Sequence, residues 1–106
     1  MPIRVRLVSG LILGASLMMP VSFAHTPICS CYDNGDDTVT CEGGFSDGGS
    51  AAGVSIRILD GRDRVLIDGA MADDGTFTFD RPGDEFHVIF DAGQSHIVTI
   101  FSDDIE

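Results

Sequence analysis

From residue 38 onwards, apolar and polar side chains alternate with a period of two, in short runs separated by turns rich in Gly and Asp. This alternation is typical of antiparallel β-strands that bury one face. No run has the longer period of an amphipathic helix. The predicted strands are 38–42, 54–60, 64–70, 76–81, 85–91 and 96–101.

The large apolar residues of these strands share one face and form the predicted core. The small polar segment 45–53 is predicted as either a long loop or an edge strand. Six or seven short strands separated by turns favour an all-β fold, a small antiparallel sandwich of the seven-stranded type. The predicted core residues are Val54, Ile56, Ile58, Val65, Ile67, Phe77, Phe79, Phe86, Val88, Phe90, Val98 and Ile100.

The first 24 residues have the pattern of a cleavable signal peptide. Arg4 and Arg6 precede an apolar stretch over residues 7–19, and small residues stand at Ser22 and Ala24. Signal peptidase recognises small residues at these two positions, so we expect cleavage after Ala24 and a periplasmic or secreted product. No later segment is apolar for long enough to cross a bilayer, which predicts no membrane insertion after cleavage.

Cleavage at this point divides the chain into a signal peptide (1–24), a Cys-containing arm with the first strand (25–42) and a sandwich domain (43–106). Because residues 25–37 show no clear period, the arm is expected to be irregular. The cleaved chain has no Lys and carries four Arg against 17 acidic residues, a formal net charge of −13. Such a chain repels nucleic acids and anionic membranes and attracts cations or basic partners.

The three cysteines, Cys29, Cys31 and Cys41, all lie near the predicted new N-terminus. An oxidising compartment favours one disulfide from Cys29 or Cys31 to Cys41, with one thiol left over. A second interpretation is a thiolate site for a soft ion such as Cu(I).

His25 would become the first residue after cleavage and would then carry both an α-amine and an imidazole. Together with a second histidine, these nitrogens would suit Cu(II) or Ni(II). The candidate partners are His87, expected to face outward, and His96, at the start of a strand beside the Gly93 turn. We therefore predict one transition-metal ion, Cu or Ni, as the cofactor.

No motif of a hydrolase, a phosphate-binding loop or a Lys-dependent enzyme is present, so the chain is expected to be non-catalytic. The leading hypothesis is an exported protein that binds or hands over Cu or Ni/Co, with a membrane transporter or another exported protein as partner. The alternative is a structural or protein-interaction sandwich with one disulfide and no metal. A copper oxygenase that uses the N-terminal His is the third and least favoured class.

The segments 53–60, 72–79 and 86–93, which include the pattern Asp74-Gly75-Thr76-Phe77-Thr78-Phe79, resemble the carboxypeptidase-regulatory-like, or prealbumin-like, modules. The resemblance implies a seven-stranded sandwich without catalytic activity of its own. Gly93-Gln94-Ser95-His96 is also similar to a turn in the periplasmic accessory components of energy-coupling-factor nickel and cobalt transporters. That likeness implies that His96 is linked to a metal.

Overall fold

The computed structural model describes residues 26–106 of the chain. The predicted signal peptide and His25 lie outside the described residues. A short 3-10 helix, Ser102–Asp104, follows the last strand. The seven strands are β1 (Pro27–Asp33), β2 (Thr38–Phe45), β3 (Ser55–Asp60), β4 (Val65–Ala70), β5 (Thr76–Asp80), β6 (Phe86–Asp91) and β7 (Ile97–Phe101).

The strands form two antiparallel sheets packed face to face. The three-stranded sheet has the order β1-β2-β5, and the four-stranded sheet has the order β4-β3-β6-β7. This architecture confirms the prediction of an all-β sandwich. Within residues 26–106, no helix has the length and apolar character needed to cross a membrane.

All six predicted strands are present, and five of them end within one residue of the predicted limits. The exception is β2, which continues to Phe45 before the chain turns. The prediction of an irregular arm is wrong, because residues 27–33 form β1. In β1, Cys29 and Cys31 point inward and pack against the core as small apolar residues. Because neither is a large apolar residue, the alternation of buried and exposed positions in β1 was not recognised from the sequence.

The buried core lies between the sheets and includes most of the predicted residues. Val39, Cys41, Ala51 and Met71 are also buried, although the strand pattern did not select them. Val65 was predicted to be in the core and is 53% exposed. The reason is a register shift in the pairing of β3 with β4. This irregularity turns Val65 to the outer face.

Close contacts between the sheets fix their relative direction. A Cβ placed on Gly43 of β2 would lie 2.6 Å from the ring of Phe90 in β6. Since all pairings are antiparallel, the odd-numbered strands start at one end of the sandwich and the even-numbered strands start at the other. We call the first end, which holds the β6–β7 turn, the His96 end, and the second the His87 end.

Candidate functional site

The disulfide joins Cys31 to Cys41, which face each other directly across β1 and β2 with their Cα atoms 4.0 Å apart. This pairing resolves the two disulfides that the sequence left open. Disulfide sulfurs cannot act as thiolate ligands, so the three cysteines do not form a soft-metal site in this oxidised state.

Cys29 is the free thiol of the described chain, and it lies on the same inward face of β1 as Cys31. It packs against the core, and burial raises the pKa of its thiol to about 11. A thiol with so high a pKa is protonated at neutral pH and is a poor nucleophile. Its geometry therefore indicates a packing role.

His87 lies on the outer face of β6, as the alternation predicted. Its Nε2 atom is 3.3 Å from a carboxylate oxygen of Asp63 in the β3–β4 turn. The imidazole also stacks on the ring of Phe101, with the ring centroids 5.6 Å apart. These contacts hold the side chain in one place and leave it only 14% exposed.

A cavity of about 430 Å³ lies beside His87. Three separate pieces of chain form it: the β3–β4 turn, the β5–β6 turn and the end of β7. Among residues 26–106, its walls carry four carboxylates and no basic side chain except the imidazole of His87. The carboxylates belong to Asp63, Asp84, Glu85 and Asp103.

His96 lies in the β6–β7 turn, one residue before β7, although it was predicted to be the first residue of that strand. Its backbone amide donates to the carbonyl of Gly93, and its carbonyl accepts from the amide of Ala92. A carboxylate oxygen of Asp91 accepts from the amide of Gly93 at 2.9 Å. These bonds hold the turn that presents a half-buried His96.

His87 and His96 are at opposite ends of the β6–β7 hairpin. At about 3.3 Å per residue along a strand, they are separated by roughly 15 Å. One metal ion cannot bind both imidazoles at this separation, because metal–nitrogen bonds are about 2 Å long. Within residues 26–106, no group of three or more His, Cys, Asp or Glu side chains is arranged to hold a metal ion.

The start of β1 lies at the same end of the sandwich as His96. The two edge strands β1 and β7 contact each other across the sandwich. Cys29 pairs with Gly43, Gly43 lies against Phe90, and Phe90 pairs with Val98. This chain of contacts shows that the N-terminal halves of β1 and β7 lie at the same height along the sandwich.

The first described residue is hydrogen bonded to the residue that follows β2. The amide of Thr26 donates to the hydroxyl of Ser46 at 3.2 Å, and the carbonyl of Thr26 accepts from the amide of Ser46 at 2.9 Å. His25 precedes Thr26 in the sequence and lies outside the described residues. Of the two candidate partners for His25, only His96 is at the end where β1 begins.

Comparisons of this chain with models of protein families, with curated proteins and with solved structures give no match. The class that the fold defines is a small antiparallel β-sandwich with one disulfide. The acidic cavity at the His87 end was not predicted from the sequence. A signal was present in the carboxylates of the β3–β4 turn, of the β5–β6 turn and of the segment after β7, but no local pattern indicates that these segments meet.

Proposed function

We propose that this chain is an exported, non-catalytic protein that binds or hands over one transition-metal ion, Cu or Ni/Co, at the His96 end. The observation that carries the proposal is the common starting level of β1 and β7, because it brings the residue after His25 to the end that holds His96.

Cleavage after Ala24 would give the site three nitrogen ligands. Two come from the α-amine and imidazole of His25, and the third comes from His96. Nitrogen ligands suit Cu(II) and Ni(II), and the excess of carboxylates raises the local concentration of cations. A partner that receives the ion, a membrane transporter or another exported protein, would approach this end of the sandwich.

The test uses the cleaved protein with His25 as its first residue, titrated with Cu(II), Ni(II) and Cu(I) by calorimetry. The matched variants are His96→Ala and His87→Ala, which remove one imidazole each from opposite ends of the sandwich. We expect His96→Ala to weaken Cu(II) binding by at least about tenfold and His87→Ala to leave it unchanged. A form with one extra residue before His25 should also bind more weakly, because its α-amine is displaced.

Equal binding by the two histidine variants would contradict the site at the His96 end. Equal binding with and without the extra residue would exclude the α-amine as a ligand. If only Cu(I) binds, and only after the disulfide is reduced, the ligands are Cys31 and Cys41. In that case the metal site is not at the His96 end.

A second candidate function, a protein-interaction sandwich with one disulfide and no metal, is supported by a different observation. Large apolar side chains are exposed on the outer face of the four-stranded sheet, where Val65 is 53% and Phe101 is 56% exposed. Exposed apolar side chains grouped on one face are typical of surfaces that bind other proteins. For this candidate, the test is the binding experiment described under the next heading.

A further inference from the structure

The outer face of the four-stranded sheet carries a continuous row of side chains that crosses all four strands. Leu59 pairs with Val65 on one side and with His87 on the other, and His87 pairs with Phe101. Three of the four side chains are apolar, and the fourth is an imidazole stacked on Phe101. We call these four residues the apolar row.

The apolar row ends directly at the acidic cavity, because His87 and Phe101 belong to both. The exposed ring of Phe101 therefore stands beside the carboxylates of the cavity. A carboxylate next to an aromatic face is suited to bind a cation, by charge pairing and by a cation–π contact. The cavity has a volume of about 430 Å³, which is enough for the end of one long side chain.

The charges around the row select a basic partner. Arg57, on the same outer face, is neutralised by Asp91 at 3.2 Å. Arg64, at the margin of the row, is paired with Asp60 at 2.8 Å. Arg62 lies in the β3–β4 turn between two residues of the cavity wall, and His87 pairs with Asp63. The carboxylates of Asp84, Glu85 and Asp103 still leave the cavity with an excess of negative charge, and it lies in a chain of formal charge −13 after cleavage. A second copy of this chain would bring the same carboxylates and is disfavoured by charge repulsion.

We propose that the apolar row and the acidic cavity form one docking surface for a partner protein, which presents apolar side chains beside an Arg or Lys that enters the cavity. This inference rests on the second candidate function and names the chemistry of its partner. The surface lies at the His87 end, away from the proposed metal site.

The probe is a blocked five-residue peptide of alternating Leu and Arg, titrated at low salt into the ¹⁵N-labelled cleaved protein and followed by NMR. Two matched peptides replace each Arg by Glu or each Leu by Ser. We expect shifts around His87, Phe101, Asp63 and Glu85 with the Leu/Arg peptide, weaker binding of the Ser peptide and none of the Glu peptide. Raising the salt should weaken binding, since exposed charges are screened.

Two pairs of variants locate the surface. Glu85→Gln with Asp103→Asn should weaken binding about fivefold or more, while Asp73→Asn with Glu42→Gln removes the same charge from the His96 end and the other sheet and should not. Phe101→Ser should also weaken binding, while Ile28→Ser, at a 52% exposed residue of the other sheet, should not. Each control guards against an effect of total charge or of general apolarity.

Equal effects of test and control variants would overturn the proposal, as would shifts scattered over the surface. Equal binding of the Leu/Arg and Leu/Glu peptides on the apolar row would refute the basic chemistry and leave the interaction function standing. Absence of shifts with every peptide would count against both.

Discussion

The outer faces of the two sheets differ in chemistry although both face solvent. On the three-stranded sheet, the hydroxyls of Thr40 and Thr78 hydrogen bond at 2.8 Å, and the hydroxyl of Tyr32 donates to Glu42 at 2.9 Å. On the four-stranded sheet, the corresponding central row holds Leu59 and His87 between two exposed apolar side chains. Polar pairs that satisfy each other need no partner, whereas an exposed apolar row gains free energy when it is covered.

The inner faces differ in a second way. Each sheet has a glycine that accommodates a ring of the other: Gly43 lies against Phe90, and Gly69 of the four-stranded sheet lies against Phe77. Phe90 is completely buried, while Phe77 is half-buried. Of the fully or almost fully buried strand residues, five belong to the four-stranded sheet and three to the three-stranded sheet. In the three-stranded sheet, a disulfide also joins the edge strand β1 to β2.

The largest effect should come from removing a core ring. Phe90→Ala is expected to lower the free energy of unfolding by about 3–5 kcal/mol, because it removes a fully buried ring and leaves a cavity. Phe77→Ala should cost clearly less, since that ring is half-buried. Urea denaturation of both variants measures the difference. Equal losses would show that the two sheets contribute equally to the core.

Loss of the disulfide should destabilise the protein by about 2–3 kcal/mol, because the bond closes a short loop in the unfolded chain. The double variant Cys31→Ala with Cys41→Ala tests this expectation by urea denaturation, and Cys29→Ala is the matched control. If the control loses as much free energy of unfolding as the double variant, the covalent bond is not what holds the edge of the three-stranded sheet.

The Cys29 thiol should be protected by the fold. Burial raises its pKa from 9.0 to about 11, so its thiolate fraction at pH 8 should be roughly a hundredfold lower than in the unfolded chain. Iodoacetamide should therefore label it slowly in native protein and fast in urea, and the native rate should rise as the pH approaches 11. A native rate equal to the unfolded rate at pH 8 would mean that the inner edge of this sheet opens readily.

The smallest effects should come from the turns, and here the two sheets behave alike. Hydrogen bonds from the following residues lower the pKa values of Asp36, in the β1–β2 turn, and of Asp60, in the β3–β4 turn. A lowered pKa stabilises the folded state above the ordinary Asp pKa of about 3.9. This contribution is lost as the pH falls through the lowered values.

We expect the free energy of unfolding to be constant near pH 6 and to fall below about pH 4. The slope should be reduced to a similar extent by Asp36→Asn and by Asp60→Asn. Denaturation curves at pH 6 and pH 3 provide the measurement. If only one of the two substitutions changes the pH dependence of the free energy of unfolding, the turns of the two sheets also differ in their contribution to stability.

Much of the fold could be predicted from the sequence, because the signals are local. Alternating residues such as Phe86, Val88 and Phe90 mark a strand and its buried face, and all three are in the core. The prediction failed where a tertiary feature changed the alternation. Val65 faces outward because of an irregularity in strand pairing, and β1 was hidden because its inward residues are cysteines.

The candidate site was harder to predict, since its residues are far apart in the chain. The sequence selected His87 and His96 as equals, and only the strand pairing shows that they lie at opposite ends. The acidic cavity joins residues from three turns, and no short segment contains its pattern.

By itself, the sequence determined six of the seven described strands, where the turns between them lie and which side chains are charged, because each of these depends on neighbouring residues. Only the tertiary structure decided that Cys31, rather than Cys29, faces Cys41 and that β1 begins at the same end of the sandwich as the β6–β7 turn. Strand register and the stacking of the two sheets depend on contacts across the whole domain, and these contacts place the His96 end and the acidic cavity at opposite ends of the molecule.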